Sequence, residues 1–194
     1  SATEQYRKAV ANEPQMPDLR YSLASTLARQ RLYDEAIKTL RDGWELAGRD
    51  PQWLVEVARL QLQQGKRDEA VATLRQALAA KKDARPDETM QMARQLGDWG
   101  IHAEAVRVYE ASFAELPKFL KEVYISSEHI NAYVRALMRV EAPVQALQKL
   151  ERLRSQYNAI AANSQDTDGY RARTIVSTLT DAMRTDFGRG VADY

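Results

Sequence analysis

The chain contains no cysteine. That excludes disulfide bridges, thiolate nucleophiles and cysteine-bearing metal sites together, and leaves the compartment open, because cysteine-free helical proteins occur in both reducing and oxidising places. Histidine is scarce: His102 and His129 are the only two and stand far apart in sequence. A metal site would need them to coincide in space with carboxylates, so surface or helix-packing roles are the plainer reading. There is no excess of charge, since 28 Lys and Arg oppose 27 Asp and Glu for a net +1. Bulk attraction to nucleic acid or to an anionic membrane is therefore not expected. No run approaches the ~20 apolar residues of a membrane span, and nothing at the N-terminus reads as a signal peptide. The eight glycines are scattered, so no phosphate-cradling loop is present. A Ser-centred nucleophile turn and a His-Glu helical metal pair are missing too. The reading is a noncatalytic chain without a cofactor.

What is present is a ladder of small residues. Ala2, Ala36, Ala70 and Ala105 recur at steps of 34, 34 and 35 residues. Four residues after each stands Tyr6, Leu40, Leu74 or Tyr109, and seven after stands Ala9, Gly43, Ala77 or Ser112. Self-similarity at this period predicts stacked helical hairpins. Around Ala36, the stripe Leu23-Ala24-Leu27 gives a first helix, a turn falls near Gln30-Arg31-Leu32, and Asp34-Glu35 opens a second helix with negative charge that suits its dipole. The next unit repeats this with Val57-Ala58, Gln64-Gly65-Lys66 and Asp68-Glu69-Ala70; the third with Met92-Ala93, Trp99-Gly100-Ile101 and Ala103-Glu104-Ala105. Glycine in two of the three turns fits a left-handed step out of the helix. Pro14 and Pro117 fall where a helix should stop. Pro17, Pro51 and Pro86 stand near helix starts, where a missing N–H costs little. The alanines are placed where two helices cross closely.

The period, the small residue of each first helix, the small residue twelve later, the aromatic or leucine four beyond it and the closing proline resemble the tetratricopeptide repeat family. The resemblance is good over residues 1–117 and looser over 118–194. It departs in two ways. The family's usual tryptophan is replaced by Arg20, Leu54 and Thr89, and its leucine-glycine pair by Leu23-Ala24, Val57-Ala58 and Met92-Ala93. It implies an all-α fold, a right-handed superhelical solenoid of antiparallel hairpins. The units are the second helix of a truncated repeat at 1–14, then repeats at 17–48, 51–83 and 86–117. Beyond Pro117, Tyr133-Val134, Leu137, Glu141-Ala142-Pro143 and Ala146 reproduce the unit at a step of 41. The seven extra residues amount to about two helical turns. They are read as a first helix lengthened at its start through Phe119, Val123 and Ile130, in a repeat at 118–162. Asn163 to Gly169 reads as a polar turn. A helix from Tyr170 to about Thr185 and a weak hairpin half from Gly190 to Tyr194 make up a degenerate or truncated repeat at 168–194. Neither end carries a polar capping helix, so the expectation is a segment of a longer repeat protein, or a unit that self-associates through open ends.

In the resembled family the first helices line a concave face. The residue after each small one is Ser25, Arg59, Arg94 or Arg135; four further are Arg29, Gln63, Asp98 and Arg139; one turn earlier are Tyr21, Val55, Met90 and Asn131. That stripe holds five arginines against one acid. Arginine's planar fork suits carboxylates, so the expected partner is a protein or peptide with an acidic or carboxylate-bearing segment. An alternative stands beside it, that Glu56, Glu88 or Glu128 neutralise these arginines locally. The family's carboxylate grip by lysines and asparagines is not matched, because Tyr21 and Ser25 occupy those positions. The aromatics, Tyr6 and Tyr109 with Trp44, Trp53 and Trp99, read as packing residues. Two functions compete: a scaffold that recruits proteins, and a repeat region of a larger enzyme or export machine.

Overall fold

Four prolines each begin a helix: Pro17, Pro51, Pro86 and Pro143 occupy the first helical position, where no backbone donor is needed. The computed structural model describes residues 1–81 and 83–188. The hairpin half expected from Gly190 to Tyr194 lies outside them. The described residues form α-helices and one short 3-10 helix, with no strand. They divide into two units, Ser1–Asp83 and Ala84–Tyr194. The first unit holds α1 (Ala2–Asn12), α2 (Pro17–Arg29), α3 (Tyr33–Leu46), α4 (Pro51–Gln63) and α5 (Arg67–Ala80). The second holds α6 (Pro86–Asp98), α7 (His102–Glu115), α8 (Ser127–Val140), α9 (Pro143–Asn163) and α10 (Thr167–Phe187). Within each unit consecutive helices pack as antiparallel hairpins, so the fold is an all-α helical repeat.

Three hairpin turns close by the same hydrogen bonds. In α2–α3 the Leu32 amide donates to the Leu27 carbonyl (3.0 Å), in α4–α5 Lys66 to Gln61 (2.9 Å), and in α6–α7 Ile101 to Leu96 (2.8 Å). This wide bond satisfies a carbonyl left open at the helix end, and it requires a left-handed residue just before the donor. Gly65 and Gly100 take that role at φ 77° and 74°, whereas Arg31 takes it at 62°. A residue with a β-carbon thus bears the cost in the first hairpin.

The ladder alanines Ala36, Ala70, Ala105 and Ala146 are fully buried, as are Ala58 and Ala93 of the first helices. Ala2 departs from the pattern: it is exposed, and its neighbour Thr3 is buried instead, accepting a hydrogen bond from Gln30 Nε2 (2.9 Å). The packed neighbour of α1 is α2, the first helix of the next hairpin, so the face that meets α2 is the one buried. In the second unit Tyr109, Phe113, Tyr133 and Tyr157 form an aromatic core, with ring centroids 5.3–6.4 Å apart. The Tyr157 hydroxyl is satisfied by the Phe113 carbonyl at 2.9 Å.

Two expectations for the second half are corrected. The extra residues before α8 do not lengthen a helix. Instead Leu116–Phe119 form a 3-10 helix, the amides of Glu122 and Val123 turn back to the Phe119 carbonyl, and Ser126 is extended before α8 begins at Ser127. Pro117 has no N–H to continue the ladder of α7. The apolar residues Leu116, Leu120, Val123 and Ile125 are nevertheless buried, and Arg171 of α10 donates to the carbonyls of Leu120 and Val123 (2.9 Å for the latter). The polar stretch from Asn163 to Gly169 is likewise mostly helix: α9 runs to Asn163 and α10 starts at Thr167. Its turn residues act as a cap, with Asp166 accepting from the Asp168 amide at 3.0 Å. Gly169 lies inside α10, and no side chain fits there: a β-carbon would sit 1.7 Å from the Ser164 carbonyl oxygen.

Candidate partner-binding site

The predicted residues are distributed over both units, and each unit gathers its own set. In the first, Tyr21, Ser25 and Arg59 line a notch of about 70 Å³ with Leu40, Glu56 and Leu60. Tyr21 is 41% exposed and its ring meets Trp53 edge-on, centroids 5.4 Å apart. Arg59 is not a free cation: Nε and Nη2 lie 2.8 and 2.7 Å from Glu56 Oε2, one turn earlier on α4. The notch is therefore aromatic and close to electrically neutral. Burial, with the nearby Glu56 charge, raises the Tyr21 phenol pKa and keeps it protonated. Arg29 and Gln63 are exposed near the ends of α2 and α4 and do not line the notch.

In the second unit Arg94, Asp98, Arg135 and Arg139 converge on a cleft of about 160 Å³ between α6, α7 and α8. Small residues one turn apart form its walls, Ala93 and Gly97 on α6 facing Ala132 and Ala136 on α8. Arg94 pairs with Glu128 of α8. Arg135 and Arg139 are exposed and have no ion-pair partner among the described residues. The cleft thus offers three guanidinium charges against two carboxylates, Asp98 and Glu128. Asn131 is half-buried on α8 and does not line the cleft. The two apolar members of the expected stripe, Val55 and Met90, are in the core at 2% and 0% exposure, so neither can touch a partner. Neutralising carboxylates do exist, for Arg59 through Glu56 and for Arg94 through Glu128.

Besides the four small wall residues, two polar residues of the cleft were not anticipated as site residues, Tyr109 and His102 of α7. The Tyr109 side chain is wholly buried, yet its hydroxyl has no hydrogen-bond partner; the His102 Nδ1 is in the same condition. Burial raises the Tyr109 pKa above the ordinary phenol range, while the charges of Arg94 and Arg135 pull it down and those of Asp98 and Glu128 push it up. The hydroxyl therefore keeps its proton. No sequence signal marks it: the corresponding positions carry Tyr6 in α1 and Leu40 and Leu74 in α3 and α5, so a tyrosine at 109 reads as a packing residue. Outside the cleft, His129 also leaves Nδ1 unpartnered; burial and then the Arg94 charge lower its pKa, against smaller opposing effects of Glu128 and Asp87.

Among the described residues no cluster of three His, Asp or Glu side chains could hold a metal ion, and no helix is long and apolar enough to cross a membrane. No curated protein matches this chain. Among solved structures it is similar to that of YrrB, described as a tetratricopeptide repeat protein with an unusual peptide-binding site. The TM-score is 0.47 and the identity 16%, over 98% of this chain and 97% of that one. The family model described as tetratricopeptide repeat matches residues 54–83. That stretch covers most of α4 and all of α5, with buried Ala58 and Ala70 in the repeat's two small-residue positions. Residues 54–83 are thus similar to a tetratricopeptide repeat, and they stand among further helical hairpins.

Proposed function

We propose that this chain is a noncatalytic scaffold that binds an acidic segment of a protein partner on its first-helix faces. Repeats of this build serve protein–protein interaction, and the chemistry of the second unit's cleft supports an acidic partner in particular. The observation that carries the reading is Arg135 with Arg139: two guanidinium groups one turn apart on α8, at a cleft, without a carboxylate of their own. Such forks lose less freedom per hydrogen bond than lysine does and match a carboxylate in plane. The notch beside Tyr21 supplies an aromatic edge and a neutralised Arg59, and suits an uncharged part of the same kind of partner.

Titration of the purified chain with acidic and basic octapeptide pools tests this. The acidic pool should bind more tightly, and added salt should weaken it because the rim charges are exposed. Arg135→Ala with Arg139→Ala should cost at least tenfold in affinity, whereas Arg59→Ala should cost little. Equal binding of both pools, or an unchanged acidic-pool affinity in the α8 double variant, would reject the acidic partner.

A further inference from the structure

We infer that the last turn of α8 and the turn into α9 form a mixed cationic and apolar docking edge, for a partner segment in which an aspartate or glutamate stands beside a large apolar residue. The inference rests on the acidic-partner reading and adds what must flank the acid.

Three observations converge. First, apolar side chains gather at this turn. Met138, Val140 and Val144 are 38%, 43% and 63% exposed, and Ala142 and Pro143 between them are exposed as well. A single exposed apolar residue such as Leu32 needs no explanation, but a run of them marks a contact surface. Second, the repeat register shows the apolar character to be a departure. Counted back from the ladder alanines, Val140 stands where the first unit has Gln30 and Gln64, and Val144 where it has Asp34 and Asp68. In the first unit these positions join successive turns, Gln64 Nε2 donating to Asp34 Oδ1 at 2.8 Å. Valine side chains cannot make that bond, and burial does not replace it. Third, the apolar run encloses open positive charge. Arg139 lies between Met138 and Val140, with Arg135 one turn earlier, and neither has an ion-pair partner among the described residues. The one acid of the turn, Glu141, is already held by Lys149 at 2.8 Å. Apolar neighbours lower the local dielectric beside a guanidinium and strengthen its attraction for a carboxylate. A wholly acidic segment would leave the valines wet. A wholly apolar one would cover the guanidinium groups without pairing them. A segment that carries both kinds of side chain meets both needs.

Blocked octapeptide pools titrated against the full chain by fluorescence anisotropy provide the test. An acidic–apolar pool carries Glu at positions four and five, flanked by Leu, Met or Phe. An acidic–polar pool has the same charge with Ser or Gln as flanks, and a neutral–apolar pool has Gln in place of Glu. The acidic–apolar pool should bind about tenfold more tightly than either of the others. The variant Met138→Gln with Val140→Gln and Val144→Ser changes only exposed side chains and no charge. It should erase most of the preference for apolar flanks and leave acidic–polar affinity unchanged. If its melting temperature drops, Met138→Gln alone should still reduce the preference by about threefold. Arg135→Ala with Arg139→Ala should bring the acidic–apolar pool down to the neutral–apolar one. Equal binding of the two acidic pools overturns the edge, as does a flank preference that survives these substitutions. A neutral–apolar pool that binds as tightly as the acidic–apolar one overturns its mixed character. In each of those cases acidic peptides can still outbind basic ones, and only the edge fails. If both acidic pools bind no better than a Lys-for-Glu pool, the acidic-partner reading fails and the edge with it.

Discussion

Gly43 and Trp53 are in direct contact: a β-carbon on Gly43 would stand 2.1 Å from Cζ3 of the tryptophan ring. The indole of α4 lies on the bare backbone of α3, 7% exposed, with its other neighbours including Tyr21. Alanine would ordinarily gain about 1 kcal/mol over glycine in a helix interior. Here the ring would have to move, and overpacking of this kind costs typically ~1–3 kcal/mol. Gly43→Ala should therefore lower the denaturation midpoint, with a red-shifted or broadened tryptophan emission reporting the displaced ring. A stabilised Gly43→Ala variant would show that the ring has free space to yield.

Arg31 offers the reverse case. It holds a left-handed conformation at φ 62° in a turn whose counterparts carry Gly65 and Gly100. A left-handed residue with a β-carbon costs roughly 1–2 kcal/mol, and glycine returns part of that as unfolded-chain entropy. Arg31→Gly should raise the melting temperature by a few degrees. Gly100→Arg, the mirror change, should lower it.

Ala70 is fully buried where α5 crosses α4, whereas Lys66 is exposed at the preceding turn. Ala70→Leu should cost ~1–3 kcal/mol by overpacking. Lys66→Leu removes only the exposed pairing with Asp34 at 3.4 Å, which solvent screens and which contributes little. Equal thermal shifts for the two variants would show that the ladder residues do not mark the helix crossings.

The pH dependence of the second unit should carry the signature of His129. Burial lowers its pKa in the folded state, so the unfolded chain takes up the proton first as pH falls. Its contribution is thus a loss of stability that begins as pH drops through about 6.5 and is complete below the folded value. Arg94, Glu128 and Asp87 face it and set the remaining balance. The melting temperature of the parent should fall between pH 7.5 and 5.5 by more than that of His129→Asn, measured by differential scanning calorimetry in the same buffers.

The residues that read most clearly in the sequence are those whose role is steric and periodic. Ala36, Ala70 and Ala105 had to be small because two backbones meet there, and the period of one hairpin repeats the demand. Gly65 and Gly100 were legible for the same reason, through backbone conformation. The connector after Pro117 was not. Leu116, Leu120 and Val123 have helical spacing, yet a 3-10 turn followed by an extended stretch buries them as well, and the carbonyls that a helix would have satisfied are taken by Arg171 from a distant helix. In the site, the Glu56–Arg59 pair was open to inspection because the residues are one turn apart. Tyr109 was not separable from a packing residue, since its ring does pack; only the unpartnered oxygen distinguishes it, and that depends on what α6 and α8 place around it.

The bonds from Arg171 to the carbonyls of Leu120 and Val123 have a kinetic consequence. Neighbouring hairpins form from contacts close in sequence and can assemble quickly. The connector cannot, because its carbonyls find their donor 51 and 48 residues downstream. Closing a loop of that length must precede any reward from it. On a ribosome, α7 and α8 emerge joined by a segment whose polar backbone is still hydrated, and it is the arrival of α10 that dries it. The last described helix of the second unit, α10, is thus the step that commits the connector, and substitution of Arg171 should slow its folding more than it disturbs any single hairpin.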